Sequence, residues 1–276
     1  ILLPSFVAGI VGYQVSTMLG VSHAFNFVEH IPTFDVVTFM SLIFAGMFFG
    51  LCSIFFIEVM RLGKFVSGKI NWYKPLKAAF GGVMLVVLAT CFSADYLGLG
   101  LTSIEKALTG GAIVWYAFIL KGVFTSITLN FGGSGGVITP LFFIGTTSGL
   151  VFSKLSGLDP VLCAAMGAVS LLAGATNTPI SASILAIEMF GPQLAPYATI
   201  CCVVSFLMSG YRSVYPSQIM AINKAPSMTT KTGDEIESSE CHYEYKTRKH
   251  MARLLKVVHR FNKVTKKSKK AKEKVI

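Results

Sequence analysis

The sequence predicts an all-α integral membrane protein of about ten helices, several of them broken, followed by a basic tail. Three observations predict it. The 276 residues are 53% hydrophobic and 13% charged, where a soluble domain carries roughly 25% charged residues. Mean hydropathy is +0.65, so the chain has too little polar surface for a water-facing globule of this size, and a lipid bilayer is its expected solvent. Long apolar runs in the first half then give way, after residue 132, to short ones interrupted by Gly, Pro and small polar residues.

The apolar elements follow in order. Segment 2–20 has no charged residue and is just long enough to span, and 36–60 is longer, with Glu58 near its end. A connector over 61–77 holds Arg61, Lys64, Lys69, Lys74 and Lys77, and clustered cations place such a loop in the cytoplasm. Segment 78–100 is the next span; 104–131 holds a short helix and then an apolar one interrupted by Lys121. From there the pieces are 140–153, 160–175, 179–190, 194–211 and 214–222. Several are too short for ~30 Å of hydrocarbon. Broken helices at membrane depth persist only inside protein or beside a polar cavity, where their ends commonly face an ion.

Prolines mark where short helices start. Thr139-Pro140, Asp159-Pro160 and Thr178-Pro179 each set a capping-type residue before Pro, and Tyr215-Pro216 places a fourth Pro at an expected start. Pro suits the first helical turn because its missing N–H is not needed there, and Asp159 and Thr178 are good caps.

Charge divides the chain at about residue 224. Residues 1–224 hold 10 Lys/Arg against 7 Asp/Glu, and 225–276 hold 14 against 6. The tail is expected in the cytoplasm, against lipid headgroups; no nucleic-acid motif accompanies its charge. Within it, 246–264 reads either as a basic amphipathic helix, with Leu254, Leu255, Val258 and Phe261 near one face, or as disorder. The chain opens on Ile1 in an apolar run without a basic n-region or a cleavage site, so it does not read as a signal peptide, and an upstream continuation is expected. Five of the six cysteines lie in apolar stretches, none in a Cys-x-x-Cys pair, and read as buried small hydrophobes. The five histidines lack metal-ligand spacing. No metal or cofactor is expected. With no nucleophile elbow or paired carboxylates in one motif, no enzyme activity is expected either.

Three features carry chemistry. Gly132-Gly133-Ser134-Gly135-Gly136-Val137-Ile138-Thr139-Pro140 reads either as a flexible glycine turn or as an anion site. In the second reading the glycines admit an ion closely, and the following helix aims its N–H groups and positive dipole end at it. No Gly-Lys-Ser/Thr follows, so a phosphate loop is not expected. Tyr215 in SVYPSQ is either an interfacial aromatic or a neutral O–H donor to the same ion. The small residues of 173–179 pack helices closely or line a path. Glu188 and Lys121 are expected near water.

Taken together, these pieces resemble the CLC family of chloride channels and chloride/proton antiporters. GSGGVITP resembles the family's filter segment, AAMGAVSLLAGATNTPISASILAIEM its following helix pair, and SVYPSQ the start of its last membrane helix. The resemblance implies that residues 1–224 form the second of two inverted halves, preceded by the last helix of the first, with 225–276 as the tail. It implies an anion filter of Gly136, Val137, Ile138, Thr139, Pro140 and Tyr215, with the Val137 and Ile138 N–H groups and the Tyr215 hydroxyl facing a chloride ion. It implies a homodimer through 2–20, 179–190 and 194–211. Ile138 stands where the family usually has Phe, which keeps the backbone donor and changes the pore wall. The serine motif G-S-G-I-P, the gating motif G-K/R-E-G-P and the proton-relay glutamate of the first half are not in these residues, and the tail is too short for a pair of CBS domains. Chloride transport, as channel or exchanger, is the leading expectation. A secondary transporter of another substrate and an inactive interaction subunit are the alternatives.

Overall fold

A computed structural model describes residues 7, 8, 11, 12, 14–16, 18–20, 32–218, 228, 229, 242 and 243. The chain forms two compact units, Ile1–Gln218 and Ile219–Ile276. In the second, Met228–Thr229 pairs antiparallel with His242–Tyr243, a two-residue ladder that the all-α expectation did not include. The expected helix over 246–264 lies outside the described residues, and so do residues 219–222 of the short helix expected over 214–222, whose described residues 214–218 are turn and loop rather than helix. Of segment 2–20, the described positions from Val7 to Met18 are helical and exposed.

From residue 32 on, the first unit's described residues hold eight α-helices: α1 Val36–Lys69, α2 Lys74–Cys91, α3 Leu101–Leu108, α4 Ala117–Asn130, α5 Ile138–Ser156, α6 Pro160–Thr176, α7 Pro179–Phe190 and α8 Ala195–Met208. Among them, α1, α2 and α5 are long and apolar enough to cross a membrane. The others are short: the 17 residues of α6 reach about 26 Å at 1.5 Å per residue.

Helix α1 begins where Asp35 accepts the Thr38 backbone N–H (2.8 Å), an N-cap interaction that holds the Asp35 carboxyl below the usual carboxylate range. It runs 34 residues, about 51 Å, and so leaves the hydrocarbon or tilts across it. The sequence expectation ended it near Met60 and read 61–77 as a loop. The helix instead continues through Arg61, Lys64 and Lys69, and residues 70–73 are the connector. These lysines and Arg61 are compatible with helix, and Arg61 pairs with Glu58 three residues back (3.2 Å); the charge cluster signals the end of the apolar run, not of the helix. Leu42, Ala45, Phe49 and Phe56 face inward, while Phe44, Met47, Leu51 and Phe55 are exposed. A helix apolar on both sides suits protein on one face and lipid on the other.

Helix α6 is the centre: every residue from Leu162 to Thr176 is buried. It lies antiparallel to α5 across Gly157–Asp159, with backbones in direct contact. A Cβ on Gly145 would stand 2.5 Å from the Gly167 carbonyl oxygen, and one on Gly149 2.2 Å from that of Cys163. Small residues permit this approach, the usual device where lipid supplies no hydrophobic force between helices. On the other side, Gly46 and Gly50 of α1 admit Val204 and Met208 of α8. Cys52, Cys163, Cys201 and Cys202 are buried and Cys91 is exposed; Cys241 lies outside the described residues.

Candidate functional site

Helix α4 ends at Asn130, and the chain turns back through the glycine segment. Gly132 has φ +107°, a conformation L side chains rarely adopt, and a Cβ on Gly133 would meet the Thr128 carbonyl oxygen at 2.6 Å. These two glycines are demanded by the turn itself. Gly136 is different. Its φ lies outside the left-handed region and no described atom comes within 4 Å of where its Cβ would stand. Neither strain nor packing against a described residue requires glycine there.

Helix α5 then opens at Ile138, with Val137 as N-cap and no side-chain capping bond. The first backbone N–H that closes onto a helix carbonyl there is that of Leu141, donating to Val137 O (3.1 Å). Early N–H groups of a helix have no intrahelical partner, and valine has no side-chain acceptor to offer them. The contrast with α6 is direct, since Asp159 accepts the Leu162 N–H there (2.9 Å). The sequence expectation put this start at Pro140, with Thr139 as cap. Thr139 instead sits inside the first turn, and Pro140, third in the helix, costs nothing because its N–H would be an orphan. Thr178 stands at the N-cap of α7 as expected but makes no side-chain capping bond; its hydroxyl bonds that of Thr176 (2.6 Å).

Tyr215 is reached from the other end of the chain. After α8 the chain turns at Ser209–Tyr211 and runs on to a turn at Pro216–Ser217. The Val214 N–H donates to Ala175 O at the end of α6 (2.9 Å). The α5–α6 register brings this loop and the start of α5 to one end of the hairpin. Two helical turns back from the Gly145–Gly167 contact, at 3.6 residues per turn, Ile138 falls level with Gly174. Val137 and Val214 pack against the same core cluster. Ile138 and Tyr215 are 45% and 40% exposed, so each is open among the described residues.

Beside the glycine segment lies a cavity of about 160 Å³, lined among others by Tyr96, Gly98, Thr125, Ser134, Gly136 and Pro140. Lys121 stands behind its wall. The expectation that Lys121 lies near water is overturned: it is 1% exposed. Its Nζ donates to the carbonyls of Tyr96 (3.1 Å) and Gly98 (2.8 Å) and sits 4.9 Å from the Phe143 ring centroid. Two carbonyl dipoles and a ring face hold the ammonium, and in return it pins the 96–98 loop. Glu188 is exposed among the described residues. Arg212 pairs with Glu58 (2.9 Å), both half-exposed, a bond of little energetic weight.

The chain matches a family model described as "Voltage gated chloride channel" over residues 1–210. It belongs to the voltage gated chloride channel family. A chloride/fluoride channel protein of Pseudomonas syringae pv. tomato is 35% identical over 231 residues, covering 81% of this chain and 51% of that protein. The voltage-gated ClC-type chloride channel ClcB of Shigella flexneri is 28% identical over 223 residues, covering 75% and 52%. The chain thus spans about half the length of these curated relatives. Among solved structures, a CLC-type fluoride/proton antiporter superposes with a TM-score of 0.74 at 30% identity, over 78% of this chain and 54% of that one. A slow cyanobacterial Cl-/H+ antiporter, TM-score 0.53 at 18% identity over 67% and 46%, shares the fold. The expected family and all-helical membrane fold are therefore established, with the chain matching part of the complete fold. The family match ends before Tyr215.

Sequence reasoning missed the spacing Gly145-x-x-x-Gly149, legible in advance as a close-packing signal. It also missed Gln218, and counted Asn177 among the residues of 173–179 that pack helices or line a path; the part both play in the loop depends on contacts across some forty positions, which no local motif encodes.

Proposed function

We propose that this chain supplies one half of a halide pathway through a membrane and moves the anion without covalent chemistry. The uncapped, glycine-preceded start of α5 carries the reading. A dehydrated anion in hydrocarbon needs donors to replace its water. The N–H groups of Val137 and Ile138, with the helix dipole behind them, and the hydroxyl of Tyr215 are neutral donors that attract without trapping, as conduction requires. Gly136 leaves room for the approach, while Thr139 and Pro140 complete the first turn. The names of the relatives, chloride/fluoride and chloride, put the substrate among the halides.

Tyr215→Phe tests this in the full-length protein. Losing one hydrogen bond to a charged group weakens fluoride or chloride binding by about 1.5–3 kcal/mol, roughly ten- to 150-fold, in isothermal titration, with the thermal midpoint unchanged. Unaltered affinity for both ions would remove Tyr215 from the site.

The assembly in this reading is a homodimer, and residues 225–276 face the cytoplasm through their Lys/Arg excess. Helix α7 contributes an exposed stripe of Ile180, Ile184 and Ile187, at the spacing of one helical face. Ile184→Trp in the full-length protein should convert the dimer to monomer in light scattering in detergent. A dimer that persists would move the interface off α7.

A further inference from the structure

The loop that carries Tyr215 is fastened on both sides of the tyrosine to the last turn of α6. Asn177 is the C-cap of that helix, with φ 60° and ψ 35°, the one non-glycine residue at positive φ among the described residues. Asparagine tolerates this left-handed conformation better than most side chains, and here the turn aims its amide at the loop. Its Nδ2 donates to the carbonyl of Arg212 (3.1 Å) and to Oε1 of Gln218 (3.3 Å). The Gln218 Nε2 donates back to the carbonyl of Thr176 (3.2 Å), and the Val214 N–H donates to Ala175 O (2.9 Å). Inside the loop the Tyr215 N–H donates to Ser213 Oγ (3.1 Å) and the Gln218 N–H to the Tyr215 carbonyl (3.1 Å).

The carbonyls of a last helical turn have no partner within the helix, and here those of Ala175 and Thr176 serve as the loop's anchors. The anchoring helix is the one whose backbone lies against α5. One rigid element therefore fixes the start of α5 and, through two amide side chains, the residues on either side of Tyr215. A donor hydroxyl misplaced by about an ångström loses much of its bond, because hydrogen-bond strength falls steeply with distance and angle.

We propose that Asn177 and Gln218 are positioning residues: they hold the Tyr215 loop against α6 and so set where the phenol hydroxyl stands relative to the Val137 and Ile138 N–H groups. This rests on the reading of Tyr215 as a halide donor. Neither amide touches the ion.

A double-mutant cycle in the full-length protein, read by isothermal titration of sodium fluoride and sodium chloride, tests it. Asn177→Gly keeps the left-handed turn free of strain and deletes the amide; Gln218→Ala, at the far side of the loop, deletes the reciprocal bonds. Each should weaken halide binding about five- to tenfold, the worth of a hydrogen bond or slightly more, with the halide-free thermal midpoint nearly unchanged. Each should have no further effect in a Tyr215→Phe background. A weakening of equal size in both backgrounds overturns the proposal, because the amides would then act elsewhere than through the hydroxyl. Affinity that falls with Tyr215→Phe but not with either amide variant overturns it too, and leaves the halide reading standing. If Tyr215→Phe itself changes nothing, that reading fails and the proposal fails with it. Should Asn177→Gly not yield folded protein, Gln218→Ala completes the same cycle and decides alone.

Discussion

Gly149→Val should yield little or no folded protein. The position faces the backbone of α6: a Cβ there would stand 2.2 Å from the Cys163 carbonyl oxygen and 2.7 Å from the Ala164 Cα. Neither neighbour is a flexible side chain that can swing aside, so the two helices must part. Parting them would disturb α6, buried from Leu162 to Thr176, and with it every helix that packs on it. Overpacking of a core typically costs about 1–3 kcal/mol and occasionally more; a β-branched side chain forced between two touching backbones belongs at the upper end or beyond. That is a large share of the roughly 5–15 kcal/mol by which folded proteins are stable. The check is the thermal midpoint and monodispersity of the purified full-length protein. Gly82→Ala is the control, since no described atom lies within 4 Å of its would-be Cβ, and removing a mid-helix glycine is stabilising by up to about 1 kcal/mol. A Gly149→Val protein melting as the parent does would show that α5 and α6 are not packed backbone to backbone.

The membrane class and the order of the apolar helices were legible because they rest on composition and on apolar run length, which are local. The span read over 78–100 is instead helix from Lys74 to Cys91, and residues 214–218 of the helix read over 214–222 are turn and loop. The start of α5 was legible within two residues because Gly and Pro constrain the backbone wherever they stand. The end of α1 was not: Arg61, Lys64 and Lys69 interrupt hydrophobicity but form helix readily, so the apolar run and the helix have different ends. Lys121 was misplaced for a related reason. Sequence shows that a cation interrupts an apolar helix, but not that the Tyr96 and Gly98 carbonyls and the Phe143 ring come together from two other segments to hold it. The same holds for the Tyr215 loop. The tyrosine was found from a motif, while the anchor at Asn177 exists only once α6 and the loop after α8 are brought together.

Gly136→Leu should abolish transport in a protein that still folds. The glycines of 132–136 look alike in sequence, yet the structure separates them. Gly132 needs its positive φ and Gly133 lies against Thr128, whereas Gly136 has a φ outside the left-handed region and open space at its Cβ position. It immediately precedes Val137, whose N–H is the first of the proposed donors. A leucine side chain there occupies the approach to the Val137 and Ile138 N–H groups. Two hydrogen bonds to a charged ion, each about 1.5–3 kcal/mol, would be lost or lengthened, a fall of at least about a hundredfold in halide affinity. Gly136→Ala should give an intermediate loss. In liposomes holding the full-length protein, fluoride and chloride efflux should drop to the rate of empty vesicles for Leu and stay measurable for Ala, while both variants melt close to the parent. The opposite pattern, normal efflux from a protein whose thermal midpoint has collapsed, would show that a packed neighbour fills the space beside Gly136 and that no ion passes there.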